Sequence, residues 1–212
     1  MSWLSKKTRP IRHAVKYTPA FILSFIVPRS PRKWVFGSNM GFAGNAKYLF
    51  LYLASTPSEK ITPLWIASSG KEYRLLKSMN INVARRWSLK GTWTALRSKY
   101  FVYNSYAPDV HLYAMGRAIK VNLWHGVGIK NIEYAISVGP MHDIFHSKNL
   151  SVRNKNRWFF IKPDIFLSTS PLMTAHFSRC FRIPAENCIE SSYPRNAIFG
   201  YTREQILQII NE

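Results

Sequence analysis

Lys33-Trp34-Val35-Phe36-Gly37, Asn45-Ala46-Lys47-Tyr48-Leu49-Phe50-Leu51-Tyr52-Leu53-Ala54 and Ile61-Thr62-Pro63-Leu64-Trp65-Ile66-Ala67 follow one another and read as strand, helix and strand. The first is short, apolar and closed by glycine, the second is rich in helix formers and aromatics, and the third is again a continuous apolar run. Working outward from this βαβ opening, a helix is expected over 72–78, a strand over 82–84, a helix over 89–97 and an aromatic strand over 100–104. Further strands are expected over 119–124, 165–169 and 189–191, with a helix over 171–181. Strands at such intervals with helices between them predict an α/β fold with a parallel, doubly wound sheet, whose ligands meet the carboxyl ends of the strands.

Neither GxGxxG nor a P-loop occurs, so the usual phosphate cradle for a dinucleotide or ATP is missing. The glycine-rich stretch 37–45 precedes a helix; its amides could meet an anion, although an ordinary strand-to-helix loop is the simpler reading. More informative is Trp124-His125-Gly126, where the apolar run 119–123 gives way to Val127-Gly128-Ile129-Lys130. A histidine between a strand and a glycine-bounded turn is placed where such folds expose reactive groups. A structurally satisfied histidine is the alternative at that position. Between Ile132 and Lys162 the periodicity fails, and Lys148, Arg153, Lys155, Arg157 and Lys162 accompany Trp158, Phe159 and Phe160. That segment is expected to be a long functional loop with a membrane or nucleic-acid patch, or a helix pair.

With 212 residues, 47% of them hydrophobic, the chain can bury one sizeable core, and 30 Lys and Arg against 10 Asp and Glu give a net charge of +20. Such a charge draws the protein to polyanions: phosphorylated substrates, anionic lipid or nucleic acid. Cys180 and Cys188 match neither a metal knuckle nor a redox pair and fit a reducing cytosol. His142 and His146 could share a helix face but lack a third ligand, so neither a metal site nor a cofactor is expected.

Residues 1–58 hold nine basic residues and no acidic one. The apolar run 17–27 is shorter than the ~20 residues a bilayer span requires. Pro28-Arg29-Ser30-Pro31-Arg32-Lys33 follows it in place of a small-residue cleavage site. Residues 1–32 are therefore expected to form a basic amphipathic arm. In it Trp3, Phe21 and Phe25 would enter the interface, while Lys6, Lys7, Arg9, Arg12, Lys16, Arg29 and Arg32 meet anionic lipid, each worth about 1 kcal/mol. The alternative is a helix packed on its own body with a solvated basic face.

The stretch Asn122-Leu123-Trp124-His125-Gly126-Val127-Gly128-Ile129-Lys130-Asn131-Ile132 resembles the signature of the CDP-glycerol glycerophosphotransferase family, the teichoic acid primases and polymerases. Two further stretches, Asp164-Ile165-Phe166-Leu167-Ser168-Thr169-Ser170 and Ser192-Tyr193-Pro194-Arg195-Asn196, are similar to that family's later strand and its Gly-Tyr-Pro-Arg-Asn-Asp turn. Asn45-Ala46-Lys47 resembles its helix start. The matches stand in the family's order across most of 33–200. Ser192 replaces the family's Gly, and Ala197 its Asp.

The resemblance implies a Rossmann-like, acceptor-side GT-B domain over 33–200, with 201–212 leading toward a nucleotide-binding carboxyl-terminal half. It implies transfer of glycerol phosphate from CDP-glycerol, or ribitol phosphate from CDP-ribitol, to a lipid-linked polyol-phosphate acceptor, at the cytoplasmic face of the membrane, in teichoic acid or capsule synthesis. His125 would be the base, and Trp124, Gly126, Lys130, Arg195 and Asn196 would contact substrate. Without the second half the chain is expected to be inactive alone. A nonenzymatic basic module binding membrane or nucleic acid is the alternative; the absence of an RNA-binding or helix-turn-helix motif disfavours nucleic acid.

Overall fold

The structure is a computed structural model that describes residues 18–56, 60–200, 202 and 204. Helix α1 (18–26) leads into β1 (Ser30–Gly37), α2 (Gly44–Ser55), β2 (Thr62–Ala67), α3 (Gly70–Ser78), β3 (Val83–Arg85), α4 (Leu89–Arg97), β4 (Ser98–Tyr103) and β5 (Ile119–Asn122). After two short helices, α5 (Pro140–Phe145) and α6 (Leu150–Lys155), come β6 (Ile165–Ser168), α7 (Pro171–Phe181) and β7 (Cys188–Glu190). All strand pairs are parallel, in the order β3-β2-β1-β4-β5-β6-β7. The order reverses between β1 and β4, so a crevice opens there at the carboxyl ends of the strands.

The continuous apolar runs of the central strands are explained by burial on both faces. Val35, Ile66, Phe101 and Tyr103 enter one core with Ala95 and Leu96 of α4, while Phe36, Trp65, Val102 and Val121 enter the other with Ala46 and Phe50 of α2. A third cluster joins Trp124 and Phe166 to Phe177 and Phe181 of α7. Helices α3, α4 and α7 begin at serines, where Ser69, Ser88 and Ser170 accept the amides of Glu72, Gly91 and Met173.

Three elements depart from the sequence expectation. Strand β5 stops at Asn122 although Leu123 and Trp124 are apolar, because the Asn122 Oδ1 accepts the Trp124 amide at 2.9 Å and Trp124 turns into the left-handed region at φ 49°. The irregular stretch 132–162 is the helix pair α5 and α6 with flanking 3-10 turns. Phe159 packs on Tyr106 and Phe145, and Phe160 lies under Arg153, so these half-buried aromatics are engaged within the protein. Strand β1 starts at Ser30, three residues earlier than expected.

The arm joins the body through a residue assigned to lipid on sequence. Arg29 donates to the carbonyls of Ser98 and Ala114 at 2.6 Å each, of Ala95 at 3.0 Å and of Ser24 at 3.3 Å. Burial lowers its pKa to about 10, with Arg117 adding to the shift. Its guanidinium is thus committed to fastening α1 to α4 and β4. Trp3, Lys6, Lys7, Arg9, Arg12 and Lys16 lie outside the described residues.

Phe166 is fully buried, with Phe177 and Phe181 each 4.8 Å away between ring centroids. Phe166→Ala is expected to cost about 3–5 kcal/mol of unfolding free energy in a urea titration, through lost burial and the cavity left behind.

Candidate active site at the strand-end crevice

Three asparagines build the rim from which His125 projects. Asn104, following β4, accepts the Ala46 amide at 2.8 Å and donates to the Ala43 carbonyl at 2.9 Å, so the loop after β1 is fastened to the end of β4. Gly44 lies against this amide with φ 69°; a Cβ there would meet Asn104 Nδ2 at 2.6 Å. Asn122 donates to the Ser105 carbonyl at 3.0 Å while accepting from Trp124. Asn45, fully buried at the start of α2, donates to the carbonyls of Leu123 at 3.1 Å and Trp124 at 2.8 Å, and its Oδ1 accepts the Arg195 amide at 3.4 Å.

These contacts fix both ends of the site. The Trp124 indole is buried against Phe166, Phe177 and Phe181, and the His125 ring stacks on it at 4.2 Å and 25°. His125 itself is exposed. Tyr193 donates its hydroxyl to the Gly126 carbonyl at 2.6 Å, and the Gly128 amide meets Met173 Sδ at 3.2 Å. At Gly128 a Cβ would meet the His176 ring at 2.3 Å, so any larger residue there must displace that side chain.

Farther along, Glu133 is buried and accepts the Tyr106 hydroxyl. Burial raises this carboxyl to about 7, opposed by that hydrogen bond. Asp109, also buried, accepts the amides of Ser105 and Tyr106 and is raised to about 6, again mainly by burial.

The arrangement brings His125, Trp124, Gly126 and Arg195 together. Arg195 lies over the Tyr193 ring at 5.5 Å. The His125 pKa is lowered, first by partial desolvation and then by the Arg195 charge. A depressed value leaves the imidazole neutral near pH 7 and able to accept a proton. Asn196 closes the Tyr193 turn through its backbone amide, at 2.8 Å from the Tyr193 carbonyl, and its side chain is exposed. That turn forms with Ser192 and Ala197 in place of the family's Gly and Asp. Lys130 is exposed beyond Ile129 and has no hydrogen bond or ion pair among the described residues.

The sequence does not single out Asn104, Tyr106 and Glu133 as functional, and it offers Asn45 and Asn122 only as parts of motifs. The available signal was a polar residue directly ending or following a buried apolar strand, as at Tyr103-Asn104 and Val121-Asn122.

Residues 20–210 match the family described as CDP-Glycerol:Poly(glycerophosphate) glycerophosphotransferase. The chain belongs to this family. It is 26% identical over 165 residues to the teichoic acid glycerol-phosphate transferase of Staphylococcus aureus, covering 76% of this chain and 40% of that protein. It is likewise 26% identical over 185 residues to the teichoic acid poly(glycerol phosphate) polymerase of Bacillus spizizenii, covering 85% and 45%. The wall teichoic acid polymerase TagF has a similar fold, with a TM-score of 0.62 at 19% identity over 95% of this chain and 50% of that one. A TagF variant soaked with CDPG gives 0.65 at 18% identity, over 97% and 53%. The family member described here therefore spans about half the length of these relatives.

Arg195→Ala is expected to raise the His125 pKa, because a like charge is removed, yet leave it below the ordinary value of about 6.5, because desolvation remains. A pH titration of the imidazole resonances by NMR measures both. An unchanged pKa would show that Arg195 does not act on the ring.

Proposed function

We propose that this chain presents the acceptor-side base of a glycerophosphotransferase acting in teichoic acid or capsule synthesis. The observation that carries the reading is His125: a strand-end imidazole with a depressed pKa, stacked on a buried indole, beside an arginine tied to the same asparagine. The reaction places an acceptor hydroxyl against the glycerol-bearing phosphorus of CDP-glycerol. The hydroxyl oxygen forms the new P–O bond, its proton passes to a neutral His125 ring nitrogen, and the bond to the cytidine monophosphate leaving group breaks. Arg195 stands where a cation offsets phosphate charge near the proton acceptor. CDP-ribitol is the equivalent donor for a ribitol phosphate chain. The matched span is under half of either curated relative; in this reading the nucleotide pocket belongs to another part of such a protein.

The acceptor is lipid-linked in this reading, and α1 is where the protein meets the membrane. Among the described residues no helix is long and apolar enough to cross a bilayer. Phe21 and Phe25 are each 47% exposed, pack edge-to-face at 5.1 Å, and share α1 with exposed Ile22, Leu23 and Ile26. A short helix exposing five large apolar side chains in a chain of +20 charge suits peripheral attachment to an anionic cytoplasmic leaflet.

Two measurements test these statements. In a polypeptide joining this chain to a donor-binding half, His125→Ala is expected to lower glycerol phosphate transfer about 100- to 10,000-fold with the melting temperature nearly unchanged. Activity that falls only in proportion to folded protein would assign His125 a structural role. In vesicle pelleting, the chain is expected to sediment with anionic phosphatidylglycerol vesicles, and Phe21→Ser with Phe25→Ser to weaken this. Tight RNA retention on a filter without vesicle binding would contradict membrane attachment.

A further inference from the structure

A second basic feature lies on the same rim, away from His125. The carboxyl ends of β2 and β3 and the starts of α3 and α4 enclose a cup of about 210 Å³, lined by Ser68, Ser69, Gly70, Arg85, Arg86 and Trp87 among others. Arg74 of α3 comes up to the cup's edge at Gly70. A methyl group built on Gly70 would contact Arg74 Nη1 at 3.6 Å and Arg85 Nη2 at 4.0 Å, so guanidinium groups from two different elements converge on one open face of the backbone.

Asp109 and Glu72 act on the Arg86 charge, but no carboxylate pairs with Arg74 or Arg85 among the described residues. The nearby Glu72 is satisfied by neutral donors, the Ser68 amide, the Ser68 hydroxyl and the Trp65 indole, each at 2.8 Å. The ion pairs among the described residues are Lys120 with Asp164 and His142 with Asp143, so none involves Arg74, Arg85 or Arg86. Arg86 donates one Nη2 bond to the Asp109 carbonyl, while its Nε is buried without a partner. Bringing the Arg74 and Arg85 guanidinium groups together without a paired carboxylate costs self-repulsion, which a multivalent anion removes while accepting forked guanidinium hydrogen bonds.

We propose that this cup binds a phosphate group, with Arg74 and Arg85 as its principal ligands and the open backbone at Gly70 as its floor. Strand spacing sets the cup about 14–19 Å from the end of β5, since β2 and β3 are three and four strands away at ~4.8 Å each. That separation places it outside the transfer centre and on the same strand-end surface. A phosphodiester of an extended polyol phosphate chain and a free phosphate ion present the same chemistry to it. The site stands on the cavity and its arginines, and it holds whether or not His125 transfers glycerol phosphate.

The test is binding without catalysis. The isotope-labelled chain is titrated with inorganic phosphate and, separately, with the phosphodiester glycerophosphoglycerol in about 0.15 M salt, where diffuse attraction is screened beyond ~8 Å. The amides of Gly70 and Lys71 are followed by NMR. A saturable shift is expected, weakened about tenfold or more by Arg85→Glu and by Arg74→Glu, both at exposed positions. Lys148→Glu, which changes the net charge equally at an exposed loop, is expected to leave it within about twofold. Saturation by the diester identifies a polymer phosphate as the source and saturation by phosphate alone a free ion; either upholds the site. Absence of a saturable shift with both probes, or equal weakening by Lys148→Glu, overturns it. Arg74 lies on the outer face of α3 and Arg85 on the edge strand β3, so a folding defect in one variant leaves the other to decide.

Discussion

The side-chain amide of Asn45 is the contact on which the site depends. One planar group at the start of α2 serves two carbonyls at the end of β5 and the backbone amide of Arg195, so three segments far apart in sequence are held together. Those carbonyls belong to Leu123 and Trp124, which lie beyond the last paired residue of β5, although the Leu123 amide still donates to the Tyr103 carbonyl at 2.8 Å. Leaving such buried groups unpaired costs about 1–3 kcal/mol each. The amide satisfies them and in doing so fixes the residue before His125 in a left-handed conformation that a tryptophan seldom adopts.

The location follows from the sheet. A parallel sheet buried on both faces leaves polar backbone uncovered only at the strand ends, and the reversal of strand order between β1 and β4 opens the crevice there. Asn104 holds the loop after β1 to β4, Asn122 holds β5 to the segment after β4, and Asn45 joins β5 to the Tyr193–Asn196 turn. Trp124, buried among three phenylalanines, gives His125 a rigid apolar backing. The exposed ring is thereby partly desolvated on one face and feels the Arg195 charge, which accounts for its depressed pKa.

The sheet was legible because its signal is local and repeated. Val35-Phe36, Trp65-Ile66 and Phe101-Val102 each place consecutive apolar residues on opposite faces, which only a strand covered on both sides accommodates. His125 was legible as a polar residue between a strand and a glycine turn. The function of Asn45 was not, because its partners lie 78, 79 and 150 residues away and nothing in Asn45-Ala46-Lys47 specifies them. Helices α5 and α6 were hidden for the same reason. Each has six residues, too few to show a period; Phe145 of α5 reaches back to Tyr134, and Phe159 of the turn after α6 reaches back to Tyr106. Arg29 misled because a basic residue beside a proline looks solvated, whereas four backbone carbonyls converge on it only in the fold.

The most direct measurement is amide hydrogen exchange at Leu123 and Trp124 in Asn45→Ala, read together with the His125 pKa. If the Asn45 amide holds the strand end, both amides exchange faster while those of Val35 and Val102 keep their protection, and the His125 pKa moves toward its ordinary value as the ring leaves Trp124 and Arg195. Unchanged exchange at Leu123 and Trp124 with an unchanged His125 pKa would contradict the central role given to Asn45.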